Sequence, residues 1–160
     1  MKLTRAIYVA ILALSSASAV AAPQNPIPEA QVPNLMRERA DLHNHAINLM
    51  QMAMAGSSER QDSALIIGFR TSEALAALEP LLSEAAIYHK MECDSDRVEL
   101  LSRLPLQLKF AKAQLDVGIE GVDKDLTFVT DKAMLLEARA IRDGLQLLRA
   151  TLELYSYDER

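Results

Sequence analysis

The sequence predicts an all-α fold, an antiparallel four-helix bundle. Three observations carry that expectation. Apolar residues recur three and four residues apart in four separate segments, the spacing that lines one face of a helix. No run of alternating apolar and polar residues reads as a strand. Short polar or glycine-containing turns join the segments, which brings consecutive helices side by side.

The first segment is expected to be removed. Lys2 and Arg5 precede an apolar run from Ala6 to Leu14, and small residues follow around Ala17-Ser18-Ala19 and Ala19-Val20-Ala21. A basic start, a short apolar middle and an Ala-x-Ala end make a secretory signal peptide. The run is too short for a membrane span, which needs about 20 apolar residues. The signal peptide is read as residues 1–21, with cleavage after Ala19 or Ala21, and the processed chain as periplasmic or secreted. Cysteine is absent from the junction and Arg5 stands alone, so neither a lipid anchor nor a twin-arginine signal is expected.

Residues 22–33 hold four of the six prolines. Proline lacks a backbone donor and pushes the residue before it to extended conformations, so this stretch reads as an irregular leader. Pro33 is compatible with a first helical turn. Residues 34–160 are then one helical domain.

The first helix is expected from Asn34 to Ala55, with Leu35, Leu42, Ala46, Leu49 and Ala53 as its inner stripe. Gly56 ends it, and Ser58-Glu59-Arg60-Gln61 has the pattern of a capping box for the next. The second helix should run from Glu59 to His89 on a stripe of Ile67, Leu75, Leu78, Leu82 and Ala85. Unbroken it would be about 46 Å long. A compact domain of this size is less than about 40 Å across, so a kink is expected at Pro80. The third helix is expected from an Asp96 cap to Val117, through Leu101, Leu104, Leu108, Ala111 and Leu115, kinked at Pro105. Gly118 and Gly121 should then open a loop carrying Asp116, Glu120, Asp123 and Asp125. The fourth helix, beginning at Asp125 or Thr130, has the cleanest heptad: Met134, Ala138, Ile141, Leu145, Leu148, Leu152 and Tyr155. Its other face (Glu137, Arg139, Arg142, Asp143, Arg149 and Glu153) mixes signs and reads as solvated.

Charge narrows the function. Losing the signal peptide removes Lys2 and Arg5, two of 17 basic residues against 22 acidic ones, and takes the net charge from −5 to −7. An acidic protein repels nucleic acid and anionic lipid, so neither nucleic acid nor membrane is an expected partner. Cys93 is the single cysteine, which cannot form an internal disulfide, and it reads as a partly buried thiol. Gly-x-Ser-x-Gly, a Walker loop, His-Glu-x-x-His and Cys-x-x-Cys are all missing. A helical di-iron site needs Glu-x-x-His, but Ala40, Leu42 and Ala86 stand three residues before His43, His45 and His89. No enzyme activity and no cofactor are expected.

Two patterns suggest metal binding: His43-Asn44-His45 and Met50-Gln51-Met52-Ala53-Met54. Thioethers suit Cu(I), and imidazole suits several transition metals. On a helix His43 and His45 point about 160° apart, so they cannot share an ion. Met50 and Met54 lie one turn apart on the face that also carries His43, which makes Met50, Met54 and His43 the candidate ligands. The competing reading is ordinary: methionine fills gaps in cores. His43 is then a core histidine, and His45, beside Glu38 and Asp41, an exposed one. His89 with Cys93 is a second, weaker pair, and the acidic loop lacks the glycine and terminal glutamate of an EF-hand.

The expected function is therefore that of an exported, non-enzymatic helical protein that binds another protein of unknown identity, as an adaptor, a chaperone or a toxin inhibitor. The alternative is a periplasmic metal-handling protein with Met and His ligands. The positive sign for the first is more apolar helical surface than one core needs, with Met52 on a side face of the first helix.

Overall fold

The computed structural model describes residues 25–56 and 62–157. The expected signal peptide and the Ser58–Gln61 capping box lie outside them. The elements are a 3-10 turn at Glu29–Gln31 and five α-helices: α1 Val32–Ala55, α2 Asp62–Ala76, α3 Leu78–Lys90, α4 Asp94–Leu126 and α5 Lys132–Glu153. Among the described residues there is no strand, only an isolated antiparallel bridge between Asn25 and Ser156. None of the helices is long and apolar enough to cross a membrane.

Four helices pack together. α1 lies against α2 and α5, and α4 closes the ring against the same two, while α3 covers part of α4 and touches α1. The stripes named from the sequence are its interior. Leu35, Leu42, Ala46, Leu49 and Ala53 of α1 are buried, as are all the heptad residues of α5 from Met134 to Tyr155. Asp131 caps α5, its Oδ1 accepting from the backbone N–H of Ala133 and of Met134, both at 2.9 Å. α5 therefore starts at Lys132, later than either expected start.

The expected second helix is two helices with a turn at Ala77 between them. Proline explains the position. The ring of Pro80 has no N–H to give and crowds the carbonyl four residues earlier, that of Ala76, where α2 stops. In α3, Pro80 occupies the first turn, where no intrahelical donor is needed. Arg39 of α1 bridges the break. Its Nε donates to the Leu75 carbonyl at 3.0 Å, and its Nη2 donates to Oε2 of Glu79 at 2.6 Å.

α4 corrects the expectation most. The helix begins at Asp94, after Cys93, so Asp96 sits in the first turn and is not the cap. Acidic residues there favourably meet the positive end of the helix dipole. It then runs 33 residues, continuing through Gly118 and Gly121 to Leu126. That is about 50 Å, longer than the domain-diameter argument allows. The expected acidic loop does not exist. The two glycines serve packing instead of chain reversal. A Cβ on Gly118 would lie 2.8 Å from the Ala74 Cβ, and one on Gly121 would lie 2.6 Å from Nη1 of Arg70. Gly121 thus leaves room for Arg70 to reach Asp125, one turn further on, with Nη1 2.8 Å from Oδ2. Asp125 is a buried carboxylate, not a loop ligand.

The proline-rich leader, described from Asn25, is tied down, and α1 begins inside its expected span, at Val32 instead of Asn34. Asn25 and Ser156 exchange backbone hydrogen bonds at 3.1 and 2.9 Å. Ile27 is fully buried, and its N–H donates to the Tyr157 hydroxyl at 3.2 Å. Its carbonyl accepts from Nε2 of His89 at 2.8 Å, so that ring nitrogen carries the proton.

Candidate protein-interaction site

α1 and α5 approach closely because Gly144 offers no side chain. A Cβ there would lie 2.3 Å from Cδ2 of the buried Leu42. Beside this contact the two helices leave a groove of about 220 Å³, whose floor and walls include Leu42, Ala140, Gly144 and Leu147, with Glu38, Asp41 and His45 along the α1 side.

The outer edge of the groove is an apolar ridge on α5. Leu136, Leu147 and Leu154 are 60%, 59% and 65% exposed, and exposed Ala140 and Ala150 stand between them. The outer face of α5, expected to mix charges of both signs, therefore carries exposed leucines as well. Its charges sit mainly on the flank toward α4. Arg149 Nε donates to Oδ1 of Asp116 at 2.7 Å and the same guanidinium contacts Glu153, which also takes Lys112 Nζ at 3.2 Å. The hydrogen bond to Asp116 holds the Arg149 guanidinium charged still more firmly than usual, and the bonds from Arg149 and Lys112 pull the Glu153 carboxyl below its ordinary range. These contacts join helices, while within the ridge exposed Asp143 stands between Ala140 and Leu147 and is paired with Arg142 Nη2 at 2.7 Å.

The groove's other rim is acidic. Glu38 is half-buried, and its Oε2 is enclosed without a hydrogen-bond partner. His45 Nδ1 lies 2.6 Å from Oε2 of Glu137, across the α1–α5 contact. An enclosed carboxylate oxygen lacking a donor is a costly arrangement. The arrangement offers apolar contact along α5 and negative charge along α1.

The residues singled out for metal are placed as follows. Met50 is half-buried in the α1–α2 contact, where its Cγ takes the space over Gly68 that a Cβ would need (2.3 Å). Met54 is exposed, and so is His43. The two histidine assignments reverse: His43 faces solvent and His45 is the half-buried one, because the α1–α5 contact falls on the side of α1 that carries Leu42 and His45. Met52 is packed against the core and is not spare surface. Among the described residues, no three of His, Cys, Asp and Glu gather closely enough to hold a metal ion. His89 and Cys93 are not on one helix, since α3 ends at Lys90, and His89 is engaged by Ile27.

Cys93 is exposed, which corrects the reading of a partly buried thiol. It precedes α4, with Sγ 2.9 Å from the Ser95 hydroxyl. That bond, helped by the backbone N–H groups of Ser95 and Asp96, draws its pKa below the ordinary thiol value.

Neither the family models, nor the curated proteins, nor the solved structures compared with this chain yield a match. The functional reading therefore rests on the surface itself. Its key residues stand out less in the sequence than the buried heptads of the same helix. The signal was present: Leu136, Ala140, Leu147, Ala150 and Leu154 form a second stripe at helical spacing on the same helix.

Proposed function

We propose that this chain is an exported, non-catalytic helical protein whose work is to bind another protein through the α1–α5 groove. The reading takes the ring of helices as an antiparallel bundle, because short connections join α1 to α2 and α4 to α5, with α4 bent where Pro105 removes a backbone hydrogen bond. One observation carries it: Leu136 and Leu147 of α5 and Leu154 just past its end are each more than half exposed, and Leu147 lines a groove whose other rim is Glu38 and Asp41. Scattered exposed leucines are ordinary, but an apolar ridge on one helix beside polar groups is the usual form of a helix-binding groove. The matching partner presents an amphipathic helix with apolar side chains for the ridge and a Lys or Arg for Glu38 and Asp41.

The test is site-specific photocrosslinking in cells that make the protein. A probe at Leu147 should give one reproducible adduct with a different protein, and Glu38→Gln together with Leu136→Glu should abolish it. A probe at exposed Gln51 of α1 serves as the control. Adducts equally abundant from both probes, or none from Leu147, would sink the proposal. Recovery of the secreted chain with residues 1–19 still attached would count against export by a cleaved signal.

A further inference from the structure

The side of α4 turned away from the core carries an apolar ridge of its own. Leu106, Phe110, Ala113 and Val117 follow at intervals of four, three and four residues, the heptad spacing that aligns side chains along one side of a helix. All four are exposed, Leu106, Phe110 and Val117 by 71%, 54% and 64%. The buried stripe of the same helix, from Leu104 through Ala111 to Leu115, occupies the opposite side. The heptad continues into charge at both ends, with Glu99 and Arg103 before the ridge and Glu120 and Lys124 after it, all four exposed.

We propose that a second copy of this chain covers this ridge, its α4 running antiparallel to the first about a two-fold axis level with residues 111 and 112. The charge order argues for a copy of the same chain. In that register Leu106 meets Val117 of the second copy, and Phe110 packs over the small Ala113 of the second copy. Arg103 meets Glu120 of the second copy, and Glu99 meets Lys124 of the second copy. Every layer pairs opposite charges or apolar groups, and symmetry repeats each pair. Beside the ridge, Lys109 faces Asp116 of the second copy, the flanking position that selects partners in paired helices. A parallel pair would instead set Glu99, Arg103, Glu120 and Lys124 each against its own kind, which is unfavourable at every charged layer. The seam from Glu99 to Lys124 is about 38 Å long. It is separate from the α1–α5 groove, so self-association and the binding of another protein stand or fall independently.

Sedimentation equilibrium of the purified chain should show a monomer–dimer equilibrium at micromolar concentration. Phe110→Glu, at an exposed position that leaves the core untouched, should give monomer throughout that range. Arg103→Glu and Glu120→Arg should each weaken the dimer about tenfold, since the two-fold axis doubles each lost pair. The double variant should return the affinity to within about threefold of the original. Register is read in a Cys93→Ser background: Leu106→Cys with Val117→Cys should oxidise to a covalent dimer, and either cysteine alone should not. In the antiparallel register two copies of residue 106 lie about 16 Å apart along the axis. A disulfide needs Cα atoms within about 7 Å. A chain that stays monomeric to millimolar concentration overturns the proposal. So does a dimer indifferent to Phe110→Glu, a double charge variant that is not rescued, or a disulfide formed by a single cysteine at 106.

Discussion

Arg39 of α1 binds the carbonyl of Leu75 through Nε at 3.0 Å, at the point where α2 gives way to α3. Arg39 ties the end of α2 to the start of α3, its Nη2 holding Glu79 on the far side of the break. A proline break is often treated as a local event. Here the two sides of the break are held together by a helix far away in sequence.

Arg39→Met keeps much of the side chain's length and apolar stem but removes both donors. It should cost about 1–2 kcal/mol, at and below the lower part of the roughly 1.5–3 kcal/mol typical of a hydrogen bond from a charged group, because Arg39 is partly exposed. Urea unfolding measures it, and an unchanged midpoint would show that water serves the Leu75 carbonyl equally well. Glu79→Gln should cost much less, since Glu79 is exposed.

Gly144 and Leu42 form a lock between α5 and α1. Gly144→Ala places a methyl 2.3 Å from Cδ2 of Leu42 and 3.1 Å from its Cγ, so a buried side chain must move. The expected destabilisation is about 1–3 kcal/mol, although alanine is the better helix former. Combining it with Leu42→Ala should cost less than the sum of the two single changes, because the new methyl fills part of the cavity. Strict additivity in thermal unfolding would mean that the helices separate instead of repacking.

Arg70 and Asp125 depend on Gly121. Arg70→Met leaves the Asp125 carboxylate buried with its positive neighbour gone, and should cost about 1–3 kcal/mol, below the range for fully buried pairs because Arg70 is more than a third exposed. Arg70→Met with Asp125→Leu should recover part of that loss. Failure of the double variant to recover would assign the site to packing around Gly121 in place of charge.

Cys93 should alkylate with a midpoint below that of an ordinary thiol, because the Ser95 hydroxyl and the first amides of α4 stabilise its thiolate. Ser95→Ala should move the midpoint back up. The linkage has a definite sign. A group whose folded pKa is depressed contributes stability that is present above its unfolded pKa and is lost as pH falls through the folded one. Stability should therefore rise slightly with pH across the window just below the ordinary thiol value, and Cys93→Ser should flatten that rise. The pH dependence of iodoacetamide labelling checks the first point, and unfolding curves on either side of the window check the second.

Much of the fold was legible from spacing alone. The heptads of α1 and α5 are buried as expected, because a narrow apolar stripe on a helix has one low-energy destination. Pro80 announced an interruption, and the structure puts it at Ala77 because proline acts on the carbonyl four residues back. The glycines of α4 misled, since glycine marks both chain reversals and tight helix contacts, and nothing local separates Gly118 beside Ala74 from a glycine in a turn. The groove was harder to see. Glu137 is distant in sequence from Glu38 and His45, and its relation to them exists only where α1 meets α5.

The sequence by itself determined that the chain is helical and which stripe of the first and last helices faces inward, because those choices follow from the periodicity of apolar side chains within a single helix. Tertiary structure alone decided that α4 runs on through two glycines, that the leader is held by Tyr157 and His89, and which polar atoms find partners. Those outcomes depend on distances between helices, which are set by the joint packing of all four.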